Sequence, residues 1–211
     1  ANGNACQHWI LEETTAAGVK LDTSQVYQFQ NANSALYLEV KDASAEAGAN
    51  VQQWGANGND CQNWTLKEFG DGYYYILSRL GDGKTYYLDV AEGKGDDGTN
   101  IQIFTNTKTS AQLFKFIPNP DGTYYIVTRA SKDKGALSVA AASKEQGANV
   151  LQWTKNGSMD QMWNITAIGA IPTPVTTTEP PVVTTEAPTE TTTAAPVVTT
   201  EAPTETTTAA P

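Results

Sequence analysis

The sequence predicts an all-β fold built from three copies of one structural unit. Three observations support this prediction. Related segments recur about every 50 residues, short stretches alternate apolar and polar residues with a period of two, and turns rich in Gly, Asn and Asp separate those stretches. The sequence has no sustained apolar period of 3.6 residues, so we expect no long helix.

The internal repeat is the most specific feature of the chain. Its copies are GANVQQWGANGNDCQNWTL (48–66), GTNIQIFTNTKTSAQLFKF (98–116) and GANVLQWTKNGSMDQMWNI (147–165). Equivalent asparagines lie 50 and 49 positions apart, at Asn50, Asn100 and Asn149. An upstream block also recurs in each copy, as ALYLEV, YYLDV and ALSVA. Two intervals repeated in three copies indicate three related units along the chain.

Each unit is predicted to contain short strands. YQFQ, LYLEV, NVQQW and NWTL alternate apolar and polar residues, and turns such as GDG at 70–72 separate the strands. The Ala-rich KDASAEAGAN can form at most a single helical turn. One such unit cannot bury its apolar face alone, so three units of about four strands each should close into one pseudo-threefold domain.

A Gln-x-aromatic motif ends each unit, as Gln62-Asn63-Trp64, Gln112-Leu113-Phe114 and Gln161-Met162-Trp163. In triplicate it resembles the motif of ricin-B-type lectin β-trefoils, the fold of family 13 carbohydrate-binding modules. The resemblance covers about residues 25–168 and implies a β-trefoil that binds carbohydrate without catalysis. Residues i and i+2 of a strand share a face. We therefore expect the last aromatic to pack in the core while the Gln amide bonds backbone groups of the turn.

Sugar recognition needs an aromatic platform for the apolar face of the ring, an acceptor for hydroxyl groups and an amide. The ricin-type family places these as an Asp after the first strand, an aromatic fifteen residues later, and polar groups in the next turn. Carried over to this sequence, the resemblance implies three sets of carbohydrate-binding residues: Glu39, Trp54, Asn57 and Gln62; Asp89, Phe104, Thr107 and Gln112; Ser138, Trp153, Asn156 and Gln161.

The three sets depart from the family pattern in different ways. Only the second keeps Asp; the first has Glu39, and the third has Ser138 and no carboxylate at that position, although Asp160 lies nearby. The Asn that often precedes the motif Gln is replaced in every unit, by Cys61, Ala111 and Asp160. The alternative for each set is a degenerate structural copy. Trp54 and Trp153 could instead cover the edge of the core.

The ends of the chain predict neighbouring modules. Residues 1–13 match 56–68 at nine of thirteen positions, so they are interpreted as the end of an upstream trefoil, joined by a linker (14–25) to the trefoil at 26–168. The alternative is that residues 1–13 pair with this domain. Residues 169–211 hold 16 Thr, 8 Pro and no aromatic residue, and repeat PVVTTEAPTETTTAA without error. This composition predicts a disordered linker with a reach of ~35–40 Å.

The Thr/Pro-rich segment resembles linkers of secreted bacterial plant-cell-wall hydrolases and cellulosome components. The resemblance implies a secreted, extracellular protein with covalently linked catalytic or dockerin-like modules. The net charge is −10, and removal of the five tail glutamates leaves −5. This acidic balance argues against nucleic-acid and anionic-membrane partners. No stretch approaches the ~18 apolar residues of a transmembrane helix.

The sequence offers no catalytic constellation. The one histidine, His8, lies in the predicted remnant, so a Ser-His-Asp or Cys-His arrangement is missing from the repeat region. No cluster has zinc-ligand spacing. Composition alone leaves a glycosidase carboxylate pair open, but the acids sit mostly in turns. We expect a monomeric binding protein with no cofactor or metal. Two cysteines, Cys6 and Cys61, are too few for a disulfide framework, and their state stays open.

These observations predict a noncatalytic module that targets an attached glycoside hydrolase to plant cell-wall polysaccharide. Xylan or a galactose- or arabinose-containing glycan is the expected ligand. Two alternatives remain at this point. One is a lectin or adhesin that binds host or surface glycans, and the other is a structural trefoil whose sites are inactive.

Overall fold

A computed structural model of the protein describes residues 19–172. Within this range the chain forms twelve strands, six single 3-10 turns and no α-helix, as the alternation pattern predicts. The strands are β1 (Gln25–Asn31), β2 (Tyr37–Val40), β3 (Val51–Trp54), β4 (Trp64–Gly70), β5 (Tyr73–Ser78), β6 (Tyr86–Val90), β7 (Thr99–Thr105), β8 (Phe114–Pro118), β9 (Tyr124–Thr128), β10 (Gly135–Val139), β11 (Val150–Thr154) and β12 (Met162–Ala170). The 3-10 turns are Lys41–Ala43, Asp60–Gln62, Ala91–Gly93, Ser110–Gln112, Ala140–Ala142 and Met159–Gln161.

Six strands form a closed antiparallel barrel. The pairing runs β1–β4–β5–β8–β9–β12 and returns to β1. The other six strands form three hairpins, β2–β3, β6–β7 and β10–β11. Each unit therefore contributes two barrel strands and one hairpin. This arrangement is the predicted β-trefoil, and closure leaves no unpaired edge in the barrel.

A ring of three asparagine amides joins the hairpins. The Nδ2 of Asn50 donates to Oδ1 of Asn149, Asn149 donates to Asn100, and Asn100 donates back to Asn50, each at 2.9 Å. Within the ring every amide gives one hydrogen bond and receives one, so these partly buried groups satisfy one another. The recurrence of Asn at one position in every unit thus has a structural cause.

The motif aromatics fill the barrel core, as predicted. Trp64, Phe114 and Trp163 are fully buried. Buried indole N–H groups need acceptors. The Trp64 indole donates to the carbonyl of Leu38 at 3.3 Å, and the Trp163 indole donates to the carbonyl of Leu137 at 3.1 Å. Each indole therefore ties a barrel strand to the first strand of its own hairpin.

The folded segment is slightly longer than predicted. The amide of Val19 donates to the Phe116 carbonyl at 3.4 Å, and the amide of Leu21 donates to the Tyr74 hydroxyl at 3.1 Å. Residues 19–24, assigned from sequence to a linker, therefore contact the domain.

The other end of the domain also extends beyond its predicted limit. Strand β12 continues to Ala170, and the amide of Ile171 donates to the Ser24 carbonyl at 2.8 Å. Residues 169–171 were assigned to the linker because they adjoin the Thr/Pro-rich segment, but they pair with β1 and with Ser24 before it. The predicted remnant at 1–13 and the tail beyond 172 lie outside the described residues.

Candidate functional site

Each unit carries an open cleft between its hairpin and its 3-10 turns, at equivalent positions. We call these clefts site 1, site 2 and site 3, and their volumes are about 460, 530 and 270 Å³. Site 1 is lined by Glu39, Asp42, Gln52, Trp54, Asn57 and Cys61, among others. Site 2 is lined by Asp89, Glu92, Gln102, Phe104 and Thr107, and site 3 by Ser138, Ala141, Leu151, Trp153, Asn156 and Asp160, among others.

Strand register explains why these residues meet. In the β2–β3 hairpin Glu39 lies opposite Gln52, and Trp54 follows two residues later on the same strand. Opposite residues, and residues two apart on one strand, share a face. The fifteen-residue interval from Glu39 to Trp54 therefore puts the carboxylate and the aromatic ring on one face of the hairpin. The hairpins of sites 2 and 3 have the same register.

In site 1, amides surround the buried Glu39 carboxylate. Its Oε1 accepts from Gln52 Nε2 at 3.1 Å. Its Oε2 accepts from Asn57 Nδ2 at 2.7 Å and from Gln62 Nε2 at 2.8 Å. An ionised carboxylate offers about four acceptor positions. Three amides, with the Cys61 thiol at 3.8 Å from Oε2, leave little capacity for a ligand.

Cys61 is a buried free cysteine beside that carboxylate. Burial raises the pKa of its thiol, and the nearby Glu39 adds to this shift. A buried thiol with a raised pKa is a poor nucleophile. Cys61 therefore lines site 1 as a small, unreactive side chain directly before the motif residue Gln62.

In site 2, the buried Asp89 carboxylate is less occupied. Its Oδ1 accepts from Gln102 Nε2 at 3.0 Å. Burial raises the pKa of Asp89, while hydrogen bonds from the side chains of Gln102 and Gln112 oppose the shift. The shorter Asp side chain and its fewer amide donors leave more acceptor capacity facing the cleft than Glu39 does.

In site 3 the carboxylate belongs to a 3-10 turn and not to the first hairpin strand. The buried Ser138 hydroxyl donates to Asp160 Oδ2 at 2.6 Å, and the Ser158 hydroxyl donates to Oδ1 of the same side chain. Asp160 belongs to the 3-10 turn before β12. Opposite Ser138, Leu151 stands where the other hairpins have Gln. The third unit therefore lacks an acid on its strand, as the sequence indicates, but its cleft contains one.

The aromatic residues of the clefts differ in exposure from the core aromatics. Trp54 is 39% exposed and Trp153 is 43% exposed, and Phe104 is half-buried. The Trp54 ring rests on the neighbouring unit at Gly147, where a Cβ would lie 3.4 Å from the ring and where φ is +81°. A side chain at Gly147 would be strained and would crowd Trp54. The Trp54 ring is thus supported on one side by Gly147 and partly open to solvent.

The motif glutamines are beneath the clefts and not in them. Gln62, Gln112 and Gln161 are fully buried. Each accepts from a turn amide (Asn57, Thr107 or Asn156) at 2.9–3.2 Å and donates to a strand-end carbonyl at 2.7–3.0 Å. Their assignment as ligand contacts is corrected here, because a fully buried amide cannot touch a sugar. They hold the turn that presents Asn57, Thr107 and Asn156.

Several cleft residues were not predicted from the sequence. Gln52 and Gln102 lie opposite the strand carboxylates. Asp42 and Glu92 line sites 1 and 2 from the left-handed position of a 3-10 turn, with φ of 56° and 58°. Both pairs recur at fixed intervals from the strand carboxylate, so an alignment of the three units would have found them. Their placement in the cleft depends on backbone geometry that the sequence does not display.

The side chains of the clefts are of the kinds that bind hydroxyl-bearing ligands. Each combines an aromatic ring with carboxylate, hydroxyl or amide groups that can exchange hydrogen bonds with hydroxyls. Within residues 19–172, no group of three His, Cys, Asp or Glu side chains is placed to hold a metal ion. In the same range, no helix has the length and apolar character needed to cross a membrane.

Comparisons with solved structures agree with this geometry. ThreeFoil, a designed 3-fold symmetric protein, is 34% identical with a TM-score of 0.62, over 66% of this chain and 96% of that one. The exo-β-1,3-galactanase 1,3Gal43A from Clostridium thermocellum is 30% identical with a TM-score of 0.65, over 71% of this chain and 31% of the enzyme. The chain thus spans less than a third of that enzyme.

Sequence comparisons point the same way. The clotting factor G alpha subunit of Tachypleus tridentatus is 36% identical over 69 residues, which are 32% of this chain and 10% of the subunit. The chain thus matches only a small part of that subunit. A family model described as ricin-type beta-trefoil lectin domain-like matches residues 5–104 and 110–173. These ranges include the residues that line the three clefts, except Thr107 and Thr109 of site 2. The chain belongs to the ricin-type β-trefoil lectin domain-like family.

Proposed function

We propose that this protein is a noncatalytic carbohydrate-binding module that binds neutral sugars at its three clefts. One observation carries the proposal: in every unit an exposed or half-buried aromatic ring lies on the hairpin face that borders a buried carboxylate. The ring can stack on the apolar C–H face of a pyranose while the carboxylate accepts from its hydroxyls, most freely in site 2 and least in site 1, where amides already occupy most acceptor positions of Glu39. Ricin-type lectin domains typically bind carbohydrate without catalysing a reaction.

The proposed ligand is a plant cell-wall polysaccharide, either xylan or a glycan that contains galactose or arabinose. The likeness to an exo-β-1,3-galactanase, at 30% identity, supports a galactan among these. We further propose that the domain keeps a covalently linked glycoside hydrolase or dockerin-like module close to that polymer outside the cell. The Thr/Pro-rich segment from 169 onward supports this arrangement, because such composition is typical of linkers between modules.

Binding should be weak at each cleft and stronger for polymers. The clefts are open, and one stacked ring with a few exposed hydrogen bonds corresponds to a Kd on the order of 1 mM, or about −4 kcal/mol. Three clefts on one rigid barrel raise the effective concentration when a polymer reaches more than one of them. We propose that the protein acts as a monomer, since one chain already carries several sites.

A lectin or adhesin that binds the glycans of host or other surfaces is the second candidate. Membership of a lectin family favours it. The two functions differ in ligand: an adhesin should prefer the exposed ends of branched surface glycans, whereas the targeting module should be retained by long plant polysaccharides.

Affinity electrophoresis of the full chain in gels that contain xylan, galactan or arabinan tests the proposal. The matched control is a variant with Trp54→Ala, Phe104→Ala and Trp153→Ala, which removes every platform and leaves the core aromatics. We expect retardation of the parent on at least one polymer and free migration of the control. Equal migration of both proteins in all three gels would exclude binding through the clefts. Release of reducing sugar at a sustained rate would exclude a noncatalytic role.

A further inference from the structure

The carboxylate of site 3 lies on a different structural element from the carboxylates of sites 1 and 2. In sites 1 and 2 it stands on the first hairpin strand, at Glu39 and Asp89. In site 3 that strand position holds Ser138, while the residue before the motif Gln is Asp160. The corresponding residue of the second unit is Ala111. The second and third units thus contain the same two kinds of side chain, an acid and a small residue, at exchanged positions.

Asp160 is built into the site. It is 6% exposed, and the part that remains open borders the cleft beside Trp153. Ser138 and Ser158 each donate a hydroxyl hydrogen to one of its oxygens. Two donors on a carboxylate with about four acceptor positions leave capacity for two sugar hydroxyls.

We propose that Asp160 is the sugar-binding carboxylate of site 3, so that this unit is a third working site and not a degenerate copy. This inference rests on the proposed function of the clefts.

Site 3 should also bind a sugar through a different set of hydroxyl and C–H groups from those that sites 1 and 2 bind. Sites 1 and 2 present an amide, Gln52 or Gln102, beside the carboxylate, and an amide can donate to a ligand hydroxyl. Site 3 presents Leu151 and Ala141 there. A hydroxyl turned toward these residues would lose its water without gaining a partner. The site therefore fits a neutral sugar that places vicinal hydroxyls at Asp160 and a C–H edge at Leu151.

Titration of the ¹⁵N-labelled full chain with xylobiose and with β-1,3-galactobiose tests this inference. The Trp153 indole signal reports on site 3, while the Trp54 indole and the Thr107 amide report on sites 1 and 2. We expect the Trp153 signal to move with at least one disaccharide. Asp160→Asn keeps the shape of the side chain and should weaken this response roughly 10- to 150-fold, the loss expected for hydrogen bonds to a charged group.

Moving the acid from position 160 to position 138 tests whether the carboxylate contacts the ligand or only supports the structure of site 3. Asp160→Ala alone should lose the Trp153 response. Adding Ser138→Asp to it reproduces the arrangement of Asp89 and Ala111 in the second unit, and should restore the response. Asp121→Asn, on a turn outside the clefts, is the control for charge removal and should leave every response unchanged.

The outcomes distinguish this inference from the proposed function. Responses at Trp54 or Thr107 with none at Trp153 would overturn the inference and leave the proposed function standing. An Asp160→Asn protein that is folded and still binds at Trp153 like the parent would also overturn it. If none of the three signals moves with either disaccharide, the inference is overturned for xylan and galactan fragments, and with it the proposed binding of these two polymers.

Discussion

Replacement of Asp89 by asparagine should separate binding from stability at site 2. The carboxylate is buried and borders the cleft, and its Oδ1 accepts from Gln102 at 3.0 Å. The asparagine amide would keep an acceptor for Gln102 and nearly the same shape. It would lose the charge and one acceptor oxygen. Hydrogen bonds to a charged group contribute about 1.5–3 kcal/mol, so the substitution should weaken site 2 roughly 10- to 150-fold.

The same substitution should not weaken the fold. Burial raises the pKa of Asp89, which means that the domain stabilises the neutral form of this side chain relative to the charged form. Removing the charge takes away that desolvation cost. We therefore expect the melting temperature of Asp89→Asn to equal or exceed that of the parent.

The Thr107 amide signal, titrated with xylobiose and β-1,3-galactobiose, measures site 2 without interference from the other clefts. Thermal melts of the same samples give the stability. Asp121→Asn serves as a control for loss of one surface charge. A variant that binds like the parent at Thr107 would refute the role of the carboxylate. A fall of the melting temperature by several degrees would show that Asp89 is needed by the fold.

Because burial raises the pKa of Asp89, acidification should protonate this carboxylate and weaken sugar binding at site 2 at a higher pH than for an ordinary Asp. Since the raised pKa means that the folded state favours the neutral form, this protonation should not reduce stability. Sugar titrations and thermal melts from pH 7 to pH 3.5 check both expectations. Trp54→Ala should lower polymer affinity several-fold with little change in melting temperature, whereas Trp64→Ala should cost about 3–5 kcal/mol and lower the melting temperature by roughly 10 °C, as calorimetry can show. Gln112→Ala should destabilise the domain by about 2 kcal/mol in urea unfolding, because it orphans the Thr107 amide and the Thr105 carbonyl; unchanged stability would contradict the positioning role.

The architecture was predictable from the sequence because one repeated pattern determines it. The Gln-x-aromatic motif predicts core positions for Trp64 and Trp163, and both are fully buried. The asparagine spacing also recurs in the sequence, but the closed amide ring of Asn50, Asn100 and Asn149 requires three hairpin ends to meet in space. The limits of the domain were less predictable. Residues 19–24 look like a linker because their contacts, such as Val19 with Phe116, are to distant parts of the chain.

The candidate site was predictable in outline and less so in its chemistry. Residue types at fixed intervals identify Trp54, Trp153 and Asp89, which the structure brings to the clefts. The same intervals predict a ligand contact at Gln112, although this residue lies beneath the turn. Burial of one motif residue and exposure of its neighbour depend on the backbone path. The sequence shows that Asp160 is near the third set, but its contact with Ser138 in the cleft depends on how the two walls pack together.

The indole signals of the full chain give the most direct test of sugar binding at the clefts. Trp54 and Trp153 are exposed in two clefts, whereas Trp64 and Trp163 are buried and bonded to backbone carbonyls. In a ¹⁵N titration with fragments of xylan and galactan, we expect the first pair to shift in a saturable manner and the second pair to stay fixed. Saturable binding that moves neither Trp54, Trp153 nor the Thr107 amide would place the sugar elsewhere and contradict this account.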